Sequence, residues 1–484
     1  MKLWTSIFNR NSKRSLRTLN RIPLRTFAGG GKIHKIGKDV TDFDICIVGG
    51  LNATALTKFL QNEGAGHKMA IISDQSKFLC SDLYFFCSHA VVKPLKLEAG
   101  SVSSQVDASS RIDANTRAVE FIPDENKVKL SNGQTYTYKA LVLAPGFDHK
   151  VDNIKGLREF DDAGEEKTNV YSHIPDNVAR VDRNYYHGYR YSGGDTIVYD
   201  CQFPFKNEGM NFYPFYYEYI LRQDMLHGRA ARNARIQYWT PNKEIFKFSY
   251  ANEVALDECE KRGIDVYFGW ELIEVKYNEA MEKIGVFKNV DTGVVIEKDF
   301  AGLVWNPPNL PQKEIVAGGF TDKNGLIDVN PYTLQHNKYE NVFAFGSATN
   351  VPTTRTQTAT MYQNPIVKHN VQRYLRGEPL NAIYDGYTFM PLLMGQLHAT
   401  SFSHYYDYEP HTFNHLIPHH GIFGRMYFKR LVRNTTSIAS KYAGFKKNYG
   451  PPHWQYNPRY DDVENNEFLQ KKGVSAADIK PTTS

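Results

Sequence analysis

Phe43 to Val48 is apolar at every position except Asp44, and it ends in Gly49-Gly50 before Leu51, Asn52, Ala53, Thr54, Ala55 and Leu56. A short apolar run bounded by glycines predicts a buried parallel strand. The small residues after it predict a sharp turn into a helix continuing to Phe59-Leu60. A dinucleotide-binding βαβ unit begins in this way. The alternation repeats down the chain. Met69 to Ser73 predicts a second strand, Tyr138 to Ala144 another ending in the turn Ala144-Pro145-Gly146, and Asp195 to Tyr199 one more. Pro214 opens a helix to about Leu226; its missing N–H has no partner in a first helical turn anyway. A helix over Glu253–Arg262 leads to a strand at Asp265–Phe268, and Asn341–Gly346 predicts a strand meeting a further helix. Strands alternating with helices predict the α/β class, here with two parallel sheets. No run is apolar enough to span a membrane. The longest uncharged stretch, Gly386 to Tyr406, is interrupted by Pro391, Gln396, His398 and His404.

Charge changes the picture at the two ends. The chain carries 58 Lys+Arg against 52 Asp+Glu, a net +6, yet no acidic residue precedes Asp39. Arg10, Arg14, Arg17, Arg21 and Arg25 recur every three or four residues, a single helical stripe. Trp4, Ile7, Phe8, Leu16, Leu19 and Ile22 supply the apolar side of such a helix. An acid-free, Arg- and Ser-containing amphipathic start has the composition of a mitochondrial transit peptide. Arg25-Thr26-Phe27-Ala28 resembles a processing signal, with Ala28 as the mature start. The other reading is a basic arm that binds RNA or lipid. Residues 1–27 hold seven positive charges and no negative ones, so the net charge from Ala28 onward is −1, and the case for nucleic acid as a partner loses its main support.

The second basic stretch runs from Pro410 to Tyr460, with eight Lys/Arg and no Asp/Glu. Phe423, Met426, Tyr427 and Leu431 fall near one helical face, while Arg425, Lys429 and Arg433 stand four apart on another, next to Arg430. That is the pattern of a helix lying in a membrane interface. Near an anionic membrane each such charge contributes about 1 kcal/mol. An acidic face of a neighbouring subunit fits the same pattern. Asp461 to Ser484 reads as an acidic-to-polar tail.

The 484 residues are 41% apolar and 23% charged, ordinary for a folded chain of two or three domains and far from a disordered one. Five cysteines without CxxC spacing make neither a disulfide framework nor a zinc site. His411, His415 and His419 have ligand spacing, but Pro410 and Pro418 bracket them and no carboxylate follows, which argues against a metal. Gly-x-Ser-x-Gly and Walker-type loops are absent. Tyr213, Tyr216, Tyr217 and Tyr219 crowd one helix without a basic cluster, so packing is expected rather than base stacking.

The strand-Gly49-Gly50 turn, the Ala144-Pro145-Gly146 turn and Phe345-Gly346 resemble the three FAD-contacting turns of flavoproteins with two dinucleotide-binding domains. In detail the chain resembles the mitochondrial type of sulfide:quinone oxidoreductase. The resemblance rests on Ile154-Lys155-Gly156-Leu157, Asn306-Pro307-Pro308, Thr333-Leu334-Gln335-His336 and Asn341-Val342-Phe343. Thr349-Asn350-Val351-Pro352-Thr353 and Tyr384-Asp385-Gly386-Tyr387-Thr388 continue it in the right order, from about Phe43 to about Tyr408. It implies two Rossmann-like domains, an FAD-binding type over 42–160 and 315–408 and a second over 161–314. A transit peptide (1–27) and linker (28–41) precede them, and a C-terminal docking extension (409–484) follows. It also implies FAD, a sulfide-accepting cysteine pair, a quinone site, and docking on the membrane through C-terminal helices.

The residues depart from that pattern where the chemistry would occur. The dinucleotide turn needs glycine where this chain has Leu51, so that backbone can approach the pyrophosphate, and again where it has Thr54. The ribose-binding acid is Ser73, with Asp74 beside it, and the family's Gly-Asp is Gly346-Ser347. Two lost carboxylate hydrogen bonds at about 1.5–3 kcal/mol each amount to about two to four powers of ten in affinity. The positions matching the two redox cysteines are Asn207, in Pro204-Phe205-Lys206-Asn207, and Ala348. An amide and a methyl group form no persulfide or disulfide. Cys201, six residues before Asn207, has no thiol near Ala348. The expectation is therefore a catalytically inactive relative with Gly49, Gly50, Ala144, Gly146, Gly346 and Ser347 as vestigial turns, binding no cofactor. It would be a structural accessory subunit of a mitochondrial inner-membrane complex, touching other subunits and anionic lipid through Phe423, Arg425, Tyr427, Lys429, Arg430 and Arg433. Tyr 31 and Phe 29 suit wide interfaces. The alternatives are an FAD-dependent quinone oxidoreductase and a cofactor-free module sensing quinone or lipid through the old pocket.

Overall fold

The computed structural model describes residues 36–37, 39–62, 66–75, 77–79, 98–101, 110–149, 154–163, 168–172, 193–200, 214–228, 230–306, 309–394 and 399–406. The expected leader (1–27) and the C-terminal extension (409–484) lie outside them. In chain order the strands begin with β1 (Asp42–Gly49), β2 (Met69–Ser73), β3 (Lys77–Leu79), β4 (Glu98–Ser101), β5 (Ser110–Ala114), β6 (Ala118–Ile122) and β7 (Lys127–Leu130). They continue with β8 (Thr135–Ala144), β9 (Asp148–His149), β10 (Val170–Ser172), β11 (Asp195–Asp200), β12 (Arg235–Thr240), β13 (Asp265–Phe268) and β14 (Trp270–Tyr277). The last are β15 (Lys283–Asn289), β16 (Val295–Asp299), β17 (Gly302–Asn306), β18 (Asn309–Leu310), β19 (Val342–Ala344), β20 (Thr388–Leu393) and β21 (Ala399–His404). The helices are α1 (Leu51–Asn62), α2 (Leu157–Ala163), α3 (Pro214–Leu226), α4 (Ser249–Arg262), α5 (Lys313–Ala317) and α6 (Gln357–Leu375).

The first sheet runs β5-β2-β1-β8-β7-β6, with β19 also on β8. The pairs β5–β2, β2–β1, β1–β8 and β8–β19 are parallel, while β8–β7 and β7–β6 are antiparallel. The expected parallel sheet is therefore mixed. The reason lies in β8, whose burial alternates up to Lys139 and is continuous from Ala140 to Ala144. Alternation marks a strand with one solvated face, continuity a strand covered on both. Accordingly one edge of β8 forks, with Thr135–Thr137 taking the β6–β7 hairpin and Leu141–Leu143 taking β19.

The second sheet, β10-β17-β11-β12-β13, is parallel throughout. An antiparallel three-stranded sheet, β14-β15-β16, packs against it and was not expected from the sequence. Between them lies an aromatic core in which Trp239 stacks on Tyr267 (4.1 Å) and meets Phe287 (4.3 Å). Helix α3 starts at Pro214 as its sequence predicts, and Tyr217 is fully buried in the main core, the packing role expected for the tyrosines of that helix. Helix α4 begins four residues before the expected Glu253, at Ser249. It stops at Gly263 (φ 67°), whose left-handed backbone lets its N–H cap the carbonyls of Cys259 and Glu260. The late strand is shorter than expected, Val342–Ala344, and the helix it was to meet starts only at Gln357. Thr356 caps that helix, its hydroxyl accepting from Ala359 N–H.

Candidate functional site

Three adjacent strands of the first sheet, β1, β8 and β19, end side by side. Gly49 pairs with Ala144, Ala344 with Leu143, and Phe345 N–H donates to Leu143 O (3.1 Å). The three turns read from the sequence as separate signals are thus one place, the carboxyl edge of a parallel sheet, where α/β folds bind ligands.

The glycines there do different work. Gly49 has φ 143°, and a Cβ on it would run into the Ala144 carbonyl, so the strand approach itself demands glycine. Gly50 borders open space: a Cβ would meet only Gln75 Oε1, at 3.8 Å. Gly146 needs glycine for its backbone (φ 70°), with nothing within 4 Å of a Cβ. Gly346 (φ 93°) donates its N–H to Gln363 Oε1 of α6 at 2.7 Å. Thr360 and Asn52 line the space beside it, 3.5 Å and 3.9 Å from a Cβ position. Sequence reasoning missed Asn52, Thr360 and Gln363. Their only signal is helical spacing, 360 and 363 sharing a face.

Leu51 opens α1 half-buried, packed against the main core. Thr54 is buried and turns its hydroxyl back onto Gly50 O (3.1 Å). Ser73 is buried at the end of β2, its hydroxyl accepting from Gln75 N–H (3.3 Å), while Asp74 is exposed. Ser347 is half-exposed, and Ala348 is buried with its carbonyl accepting from Ile327 N–H (2.9 Å). As a donor set for FAD these residues do not fit the family's pattern: the glycine cradle is present, but serines stand where two carboxylates would hold ribose and ribityl groups.

Asn207 lies outside the described residues, as do Cys80, Cys87 and Cys201, so its expected nearness to Ala348 has no counterpart in them. Cys46 and Cys259 are buried free thiols. Burial, with Asp113 adding to it, holds the Cys46 thiol far above its ordinary value, and burial pushes Cys259 up to about 12. Neither is a thiolate near neutral pH, the form that attacks sulfur. No group of three His, Cys, Asp or Glu able to hold a metal occurs among the described residues. The histidines 411, 415 and 419, and the docking residues Phe423, Arg425, Tyr427, Lys429, Arg430 and Arg433, lie outside them.

The stretch 333–388, the most family-specific part of the sequence, serves as a knot. His336 is buried; its Nδ1 accepts from Lys338 and Tyr339 N–H (3.0 and 3.2 Å), which leaves Nε2–H to donate to Phe320 O (3.0 Å). Burial holds its pKa below the ordinary histidine value. Asn370 of α6 donates to both Thr333 O and Ala382 O (2.9 Å each).

No protein-family model matches the chain. The mitochondrial sulfide:quinone oxidoreductase of Schizosaccharomyces pombe is 29% identical over 277 residues, covering 56% of this chain and 58% of that protein. The chain is a distant relative of the sulfide:quinone oxidoreductases. The match spans little more than half the length of that protein. The sulfide:quinone oxidoreductase of Aquifex aeolicus shares the fold, with a TM-score of 0.61 at 14% identity over 87% of this chain and 96% of its own. A higher structural likeness is to a chain in the mitochondrial ATP synthase of Tetrahymena thermophila. There the TM-score is 0.77 at 25% identity, over 86% of this chain and 100% of that one. Two Rossmann-like sheets of the α/β class are thus common ground between this chain, an oxidoreductase and a component of a membrane complex. No helix among the described residues is long and apolar enough to cross a membrane.

Proposed function

We propose that the chain is a catalytically inactive member of the sulfide:quinone oxidoreductase lineage serving as a structural accessory subunit of a mitochondrial inner-membrane complex of the ATP synthase type. The observation that carries this reading is the likeness to the Tetrahymena ATP synthase chain over the whole of that chain, at 25% identity. Ser73, Ser347, Asn207 and Ala348 support inactivity, because each replaces a group the family's chemistry needs. In this reading residues 1–27 direct import. Residues 42–160 with 315–408, and 161–314, form the two domains, and 409–484 dock on anionic lipid or a neighbouring subunit through Phe423, Arg425, Tyr427, Lys429, Arg430 and Arg433.

A second reading, an FAD-dependent quinone oxidoreductase, is favoured by the open approach at Gly50 and by the name of the fission yeast relative. The visible spectrum of the purified full chain separates the two. The first reading expects a colourless protein that stays colourless after incubation with FAD and desalting. Stoichiometric flavin would contradict it and support the second.

A further inference from the structure

The β20–β21 hairpin is rooted in the layers of both sheets. On the side of the first sheet, Thr388 Oγ1 lies 2.6 Å from Thr354 Oγ1 and 3.3 Å from Thr356 Oγ1, the cap of α6. Thr353 donates to Gly386 O (3.0 Å) just before β20, and Tyr387 packs edge-on against Tyr362 of α6 (4.7 Å). On the side of the second sheet, Phe402 of β21 meets Phe248 (5.8 Å), Tyr250 (6.0 Å) and Phe246 (6.1 Å), and His404 lies 5.0 Å from Phe248. Arg262, the last residue of α4, donates to Met394 O (2.9 Å) at the end of β20, while its Nε is held by Glu258 (3.1 Å). Beyond β21, Tyr406 hydroxyl donates to Pro331 O, and the acid-free basic stretch begins at Pro410, four residues on.

We propose that this hairpin is a strap that couples docking of the C-terminal basic segment to the seam between the two sheets. The inference rests on the docking reading of residues 409–484 above. A hairpin held on both sides opens only when both sets of contacts break. Fixing the chain a few residues beyond its second strand removes freedom that the opened state would regain. Docking therefore tightens the strap, and the strap tightens the seam.

The test is amide hydrogen exchange of residues 388–404 in the full chain, alone and with phosphatidylcholine vesicles containing cardiolipin. The expected result is binding to these vesicles and exchange of the hairpin slowed at least about tenfold. Phosphatidylcholine alone should neither bind nor change exchange. In Arg262→Ala, binding should persist while the slowing is lost; if that variant does not fold, the wild-type comparison decides by itself. Binding with unchanged hairpin exchange overturns the coupling but leaves the docking reading standing. Absence of binding overturns both.

Discussion

Gly49 and Gly50 are neighbours that answer to different constraints. At Gly49 a side chain meets the Ala144 carbonyl and the backbone sits at φ 143°, whereas at Gly50 it meets only the tip of Gln75. Gly49→Ala should therefore destabilise by about 3 kcal/mol or more, and Gly50→Ala should stay within about 0.5 kcal/mol; denaturant midpoints check both. Ligand binding accounts for conserving the second glycine but is not needed for the first. At His336 the prediction concerns pH. Its pKa is held below the ordinary value of about 6.5, so below that pH the unfolded chain takes a proton that the folded chain refuses. Its contribution is full above about pH 6.5 and is lost as the pH falls toward the lowered value. His336→Gln should cost about 1–3 kcal/mol near neutral pH and should lose less of its stability than the wild type between pH 7.5 and 5.5, measured by urea unfolding.

At the scale of elements, α6 joins the old turn to the hairpin. Its cap Thr356 serves both Ala359 N–H and the threonine cluster at Thr388. Thr356→Ala should cost about 1–2 kcal/mol, read as a fall in thermal midpoint, and Thr388→Val should lose part of the same energy because the cluster is shared. Elements of this kind were legible in unequal measure. The strands β1, β2 and β13, and the start of α3 at Pro214, stand where apolar runs, glycines and a proline put them, because those signals are local. The three turns were equally legible, each carrying its own glycine. The β14–β15–β16 sheet was not, since its edge strand alternates between half-buried and exposed positions and its partners are set by tertiary pairing. The Gly346–Gln363 bond was also hidden, because it joins a turn to a helix 17 residues on and nothing in either segment announces the other.

At the scale of the whole molecule, charge and fold divide the labour. The basic ends flank a body that carries −1 from Ala28 onward, basic stretch included. That body keeps a dinucleotide-binding scaffold with serines at its two acidic posts and two inert buried thiols. Its positive charge is thus a property of the ends, where import and docking are proposed, rather than of a surface for nucleic acid. The central claim is that this scaffold works as part of an assembly. Native size-resolved purification of the full chain from gently solubilised mitochondrial membranes, with mass spectrometry of each fraction, tests it most directly. The account predicts co-migration with ATP synthase subunits in a large complex at constant stoichiometry; migration as a free monomer would contradict it.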